Sequence, residues 1–326
     1  YSDILRQALD KAGFSKVPIL STDPSDTKRM HPGVSMLTAG TAVEAALMFT
    51  MLDILEELLR KIRPYELRKG EANSIFESCI RDISEASVKG FKKAVDAFGT
   101  AIDKMSAISY DRSELKPGVL VTGELLVTYH PGTNYHIEEY LEEHGCETIL
   151  PRMTNQFRKD FLVAMSEIKD FKVRMLPYSF ALEKAFDFIE KKLAKIASRH
   201  PLYEEMPDPG SLYEGVNGFF PKTLSCGEGW LMAGEIAHFA KKNVRSFVIL
   251  QPFGCLPNHV CGRGISKKLK EMFPGISILP LDLDPDTSYA NMENRLQMLI
   301  MNRNKETAAL KRSIQAIPQL SALTSQ

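Results

Sequence analysis

Along the chain, segments with apolar residues at helical spacing alternate with short runs that are apolar throughout, the pattern of helices laid against buried strands. Ile4, Leu5, Ala8 and Leu9 open a helix that Gly13 stops, and Val17-Pro18-Ile19-Leu20 follows as a short strand. From about 41 to 109 the spacing is helical. Ala45, Leu47, Met48, Met51, Leu52, Leu55, Leu58 and Leu59 make one long face, which Arg63-Pro64-Tyr65-Glu66 breaks; Ile75, Cys79, Ile83, Val88, Phe91, Val95 and Phe98 make the next. Val119-Leu120-Val121-Thr122-Gly123 is then an apolar strand, 137–144 a helix closed by Gly145, and Thr148-Ile149-Leu150 the returning strand. Strand, loop, helix and strand in that order predict a parallel crossover unit, right-handed by default.

Helical spacing returns over 155–200, and a Pro- and Gly-bearing linker spans 201–221. A helix over 228–241, a buried strand at Phe247-Val248-Ile249-Leu250, a helix over 265–272 and a strand at Ile276 to Leu281 follow, with a closing helix over 291–315 and a tail after Pro318 that is expected to fray. The fold class is therefore α/β: doubly wound, mostly parallel sheets in two Rossmann-like or flavodoxin-like lobes, with an added helical segment. The expected division is a partial α/β unit plus helical segment over 1–112, an α/β lobe over 113–205 and a C-terminal α/β lobe over 206–326.

Composition excludes more than it selects. Lys plus Arg and Asp plus Glu stand at 41 each, so no overall field favours nucleic acid as a partner. No apolar stretch reaches membrane-spanning length and the opening Tyr1-Ser2-Asp3-Ile4-Leu5 lacks the order of a signal peptide, so a cytoplasmic protein without membrane partners is expected. The first residue is Tyr with helical spacing already under way, so the chain reads as a piece of something longer. Five cysteines, an odd number in a chain this large, argue against a secreted disulfide framework and leave reduced thiols or metal ligands.

Ligands in open parallel sheets sit beyond the carboxyl ends of strands. One loop there runs from Gly123-Glu124 to Asn134 and offers the Glu124 carboxylate and the His130 imidazole; its plain alternative is a long connection whose Asn134 caps the next helix. The loop after 247–250 offers Cys255, Asn258, His259 and Cys261, then Gly262-Arg263-Gly264 at a helix start, where free N–H groups can hold a phosphate. Cys255 and Cys261 are too widely spaced for a ferredoxin-type run or a zinc ribbon. Cys255 with His259 is a conceivable nucleophile and base, but no orienting carboxylate is evident, and a thiol hydrolase ranks last. Ser225-Cys226-Gly227-Glu228-Gly229-Trp230 places a thiol before a helix. Cys79 and Cys146 fit buried apolar patterns, and His31, His200 and His238 have no such company.

Cys226-Gly227-Glu228-Gly229-Trp230 followed by Gln251-Pro252-Phe253-Gly254-Cys255-Leu256-Pro257-Asn258-His259 resembles the C-terminal part of the large acyl-CoA dehydratase activase-related proteins. Arg63-Pro64-Tyr65-Glu66 and Gly123-Glu124-Leu125-Leu126-Val127-Thr128-Tyr129-His130-Pro131 look similar too, so the resemblance runs in order along nearly the whole chain. It implies a region like the subunits of 2-hydroxyacyl-CoA dehydratases, joined in the full-length protein to N-terminal ATPase domains. Its chemistry would be iron–sulfur electron transfer or radical dehydration of an acyl-CoA. Cys255 sits where the family's last cluster cysteine follows a strand and Cys226 is a second candidate ligand, whereas Pro151-Arg152-Met153-Thr154-Asn155-Gln156 lacks the middle one. The resemblance implies a [4Fe–4S] cluster for the full-length protein; this fragment is expected to be without it and catalytically silent. Glu124, His130 and His259 are the catalytic candidates, and Gly227, Glu228, Gly262, Arg263 and Gly264 the cofactor-binding ones. A scaffold without a cluster, or a CoA- or phosphate-binding interaction module, is the alternative.

Overall fold

A computed structural model describes residues 2–19, 39–171, 177–221, 224, 226–284, 286 and 288–302. The chain divides into two compact units, Tyr1–Phe49 and Thr50–Gln326. In the first, helix α1 (Ser2–Lys11) ends where Gly13 takes φ +84° and Phe14 N–H returns to Leu9 O at 2.8 Å. Arg6 fastens the turn by donating to Val17 O at 2.7 Å and Phe14 O at 2.9 Å. The strand expected at 17–20 is absent over 17–19, where no neighbouring strand pairs with it among the described residues; Leu20 lies outside them, as does His31.

Helix α2 (Ala39–Ile62) buries Met51, Ile54, Leu55, Leu58 and Ile62 along one helical face, and stops at a 3-10 turn over Arg63–Tyr65 with Pro64 in its first positions. Helices α3 (Glu71–Ser87) and α4 (Phe91–Ser106) then pack as a hairpin. Glu66 starts α3 by accepting from Gly70 N–H at 2.6 Å and Ala72 N–H at 2.8 Å.

The core of the second unit is one parallel sheet. Strand β1 (Gly118–Gly123) is followed by α5 (Leu125–Tyr129), α6 (Ile137–Glu143) and β2 (Glu147–Ile149). Helices α7 (Thr154–Phe171), α8 (Pro177–Ala197), α9 (Pro209–Glu214) and α10 (Trp230–Lys241) lead to β3 (Ser246–Pro252). A π-helical turn over Asn258–Arg263, α11 (Ser266–Met272), β4 (Ser277–Leu283) and α12 over 289–302 complete it; the closing helix expected beyond 302 lies outside the described residues. The order is β2-β1-β3-β4, all parallel. The strands expected in separate lobes over 113–205 and 206–326 are therefore neighbours, β1 beside β3, because Val121 and Val248 are in register at the centre of one buried ladder.

Alternation sorts the strands' side chains onto two faces. Leu120, Phe247, Ile249 and Ile278 pack against Leu231, Met232 and Ile236 of α10 and Leu269 of α11. Val119, Val121, Val248, Leu250 and Leu281 pack against Ile137 and Leu141 of α6 and Leu296 and Leu299 of α12. Helices thus cover both faces, and each such large aliphatic or aromatic side chain, when fully buried, contributes about 2 kcal/mol by leaving water. β4 is an edge: Pro280, paired with Ile249, has its carbonyl turned outward to the Arg295 guanidinium at 2.7 Å, so its missing N–H faces away from the ladder.

The helical segment is tied to the sheet by charge. Arg60 donates to Glu138 at 2.7 Å, Arg63 to Glu142 at 2.6 Å and Tyr65 Oη to Glu147 at 2.7 Å. Asp53 of α2 caps α7 from outside, accepting from Met153 N–H at 2.9 Å, Thr154 N–H at 3.0 Å and Thr154 Oγ1 at 2.6 Å.

Candidate functional site

The strand order fixes where to look. The chain leaves β1 towards β2 on one side and β3 towards β4 on the other, so the loops after β1 and β3 diverge and open a crevice at their carboxyl ends. Gly123 sets its floor. A Cβ there would stand 1.9 Å from Leu250 O, and at φ +149° only glycine brings β1 so near β3 that Glu124 N–H reaches Leu250 O at 2.9 Å.

Three segments meet in the crevice. Glu228, before α10, accepts from Leu125 N–H at 3.2 Å through Oε1. Asn258 is fully buried and its amide fits one way round: Nδ2 donates to Glu228 Oε2 at 2.5 Å and Oδ1 accepts from Glu124 N–H at 3.0 Å. Burial, and then the nearby Glu124 carboxylate, push the Glu228 carboxyl upward. Glu124 itself is a helix cap: its Oε2 accepts from Val127 N–H at 3.0 Å at the start of α5, which the sequence pattern treats as open loop. His130 takes no part in this network; its ring lies over Gly132. Asn134 accepts from Ile137 N–H at 3.4 Å, the capping role weighed as the plain alternative. The cavity of about 420 Å³ beside this loop contains Arg60 and Arg63, both already paired with carboxylates.

The two glycine-flanked thiols come from turns that touch. A Cβ on Gly227, at φ +59°, would lie 2.9 Å from Pro257 Cβ, so the Cys226 turn is seated directly on the Cys255 turn. Cys226 is exposed and Cys255 half-buried. Lys159 of α7, itself buried, donates to Gly227 O from beneath and pairs with Asp160 at 3.3 Å. Cys261 is buried under the same contact, its thiol pushed up by burial first and then by the neighbouring Cys226 and Glu228. Cys79 and Cys146 are core residues; burial raises both thiols, Cys146 to about 11. Burial also lowers His200 and His238, so both stay neutral.

A second polar group lies on β3 and β4. His259 Nδ1 is 2.7 Å from Cys255 O, its Nε2 is 3.1 Å from Asp282 Oδ1, and Gln251 Nε2 donates to that same oxygen at 2.5 Å. Arg263 reaches Asp282 Oδ2 at 3.4 Å. Asp282 is thus the carboxylate that the sequence does not reveal beside His259. The imidazole is nevertheless turned to the carbonyl of Cys255, an arrangement unlike a nucleophile and its base.

Gly262 and Arg263 close the π turn and Gly264 follows it, just before α11. Gly264 N–H donates to His259 O at 2.8 Å within the π turn, so these residues lie inside a wound turn, and α11 begins after Ile265. Gly262 is small for packing: a Cβ would come within 3.1 Å of Ile249 and 3.4 Å of Met232. Beneath the crevice Glu235 of α10 is 2 % exposed and accepts from Thr122 Oγ1 at 2.5 Å. Burial pushes its carboxyl up to about 8, so it is protonated at neutral pH.

Comparison with protein-family models, with curated proteins and with solved structures finds no match for this chain.

Proposed function

We propose that this chain is a 2-hydroxyacyl-CoA dehydratase-like module of an acyl-CoA dehydratase activase-related protein, acting in radical acyl-CoA chemistry only as part of a larger polypeptide. The observation that carries the reading is the seating of the Cys226 turn on the Cys255 turn at the β1/β3 crevice, where a doubly wound sheet takes its ligand. On this reading the sheet is the Rossmann-like core of the dehydratase-like region, and the ATPase domains belong to the rest of the full-length protein. We place it in the cytoplasm, where free thiols persist.

The residues present do not fit a four-iron cluster by themselves. Cys226 and Cys255 supply two thiols, and among the described residues no group of three His, Cys, Asp or Glu side chains is arranged to hold a metal. The module therefore contributes one edge of a shared site, and it is silent when isolated. Its own part is to bring the two thiol-bearing turns to one crevice, beside the Glu228–Asn258 bracket and the His259 side.

Anaerobic reconstitution of the full-length polypeptide with iron and sulfide is the test. Iron-dependent visible absorbance is expected, diminished in both Cys226→Ala and Cys255→Ala. No iron uptake by the full-length protein would sink the reading in favour of a cluster-free scaffold, whose partner binding Cys255→Ala would leave intact.

A further inference from the structure

The two large apolar side chains of the Cys255 turn do not anchor it. Phe253 and Leu256, which flank it, are 74 % and 73 % exposed, and Gly254 between them is exposed at φ +74°. Beside the seat of Pro257 on Gly227, polar contacts hold the turn. Cys255 N–H donates to Pro252 O at 3.1 Å, and Cys255 O accepts from His259 N–H at 3.0 Å and from His259 Nδ1 at 2.7 Å. A carbonyl can only accept, so Nδ1 carries the proton.

The other end of the ring is held by a residue from a different strand. β3 and β4 place Asp282 opposite Gln251, and both side chains reach the carboxyl end of the sheet on the α10 face. Gln251 is fully buried and its amide is pinned, because only Nε2 can face the carboxylate. Asp282 Oδ1 then receives Gln251 Nε2 at 2.5 Å and faces His259 Nε2 at 3.1 Å, while Oδ2 faces Arg263 at 3.4 Å. Gln251 Nε2 is itself 3.3 Å from His259 Nε2, so the imidazole is met on that side in either protonation state: by the amide when neutral and by the carboxylate when charged.

We infer that Asp282 is a positioning residue of the candidate site: it fixes the His259 imidazole, and the imidazole fixes the turn that presents Cys255. A carboxylate behind an imidazole that braces a thiol-bearing turn is the outer-shell support that orients a ligand or reactive group. The inference rests on the dehydratase-like reading for the importance of Cys255. The linkage itself is measurable without it.

The experiment follows the labelling rate of Cys255 by a small maleimide, resolved by peptide mass, together with the ring resonances of His259 in protein carrying isotopic nitrogen in its histidines. In Asp282→Ala, Cys255 labelling is expected to rise about tenfold, the equivalent of losing one charge-assisted hydrogen bond. The ring is expected to pass from a single Nδ1–H form to the mixture of a free imidazole, while buried Cys79 and Cys146 keep their protection. Unchanged labelling and unchanged ring resonances overturn the inference. If all five cysteines accelerate together, Asp282→Asn, which keeps the shape and removes the charge, decides the matter by the same His259 signature: a shifted ring supports the linkage and an unshifted one overturns it. Failure of the full-length protein to take up iron would remove the dehydratase-like reading and leave these two measurements as they stand.

Discussion

Replacing Glu235 by Gln separates the contribution of a buried acid from that of its shape. The carboxyl is pushed from 4.5 to about 8 by burial, opposed by the hydrogen bond from Thr122 and assisted by Glu228. Its proton is therefore held more tightly in the folded protein than in the unfolded chain. Stability from this group is fully present below pH 4.5 and is lost as pH rises towards 8, because the unfolded chain ionises first. The slope is about 1.4 kcal/mol per pH unit, or about 3 kcal/mol between pH 5.5 and 7.5. A glutamine keeps an oxygen for Thr122 Oγ1 and cannot ionise; its extra N–H carries a pH-independent cost of about 1–2 kcal/mol. Urea unfolding of both proteins across that range should give curves that diverge steadily, the variant gaining on the wild type by about 3 kcal/mol over the window. Titrating groups that are not coupled to Glu235 cancel in the difference, which leaves Glu228, whose charge acts on it. Curves that run parallel would falsify the assignment of a protonated buried acid beneath the crevice.

Asp53→Ala removes the acceptor of two backbone N–H groups and a hydroxyl at the start of α7 and should destabilise the protein by about 2 kcal/mol in the same unfolding assay. Because burial raises Asp53 to about 6, the wild type should lose more stability than the variant as pH climbs from 3.8 towards 6. Gly123→Ala, with a Cβ driven onto Leu250 O, should cost about 3 kcal/mol or more, visible as a lowered thermal midpoint, whereas the same change at Gly145, which meets nothing within 4 Å, should be milder.

Much of the frame is legible in residue order. Val119 to Gly123, apolar but for Thr122, and Phe247 to Leu250, apolar throughout, are both central strands; Cys79 and Cys146 lie in apolar patterns, and both are core. Which strands are neighbours is not legible, because a run of valines and isoleucines records burial on two faces and says nothing about the partner. That is why two expected lobes share one sheet. The short helices α5 and α9 are hidden by glycine and proline in their surroundings, although Glu124 and Asp208 each stand where an N-cap belongs. Lys159 and Asp282 are not legible as site residues for a related reason: each is one polar residue whose meaning depends on what the fold brings beside it, and Asn258, though visible on its loop, gives no sign of its partners Glu228 and Glu124. A faint signal exists for Asp282, since Gln251 and Asp282 are polar positions at the carboxyl ends of otherwise apolar strands.

The outward-facing proline of β4 has a consequence for recognition. An extended peptide seeking to lengthen this sheet would meet, on that side, a position with no N–H and a carbonyl already occupied by Arg295; on the other side it would meet β2, only three residues long. Main-chain pairing is thus discouraged at both margins. Whatever the module recognises has to be read by side chains at the ends of its strands, where a single substitution can change what it accepts without disturbing the ladder.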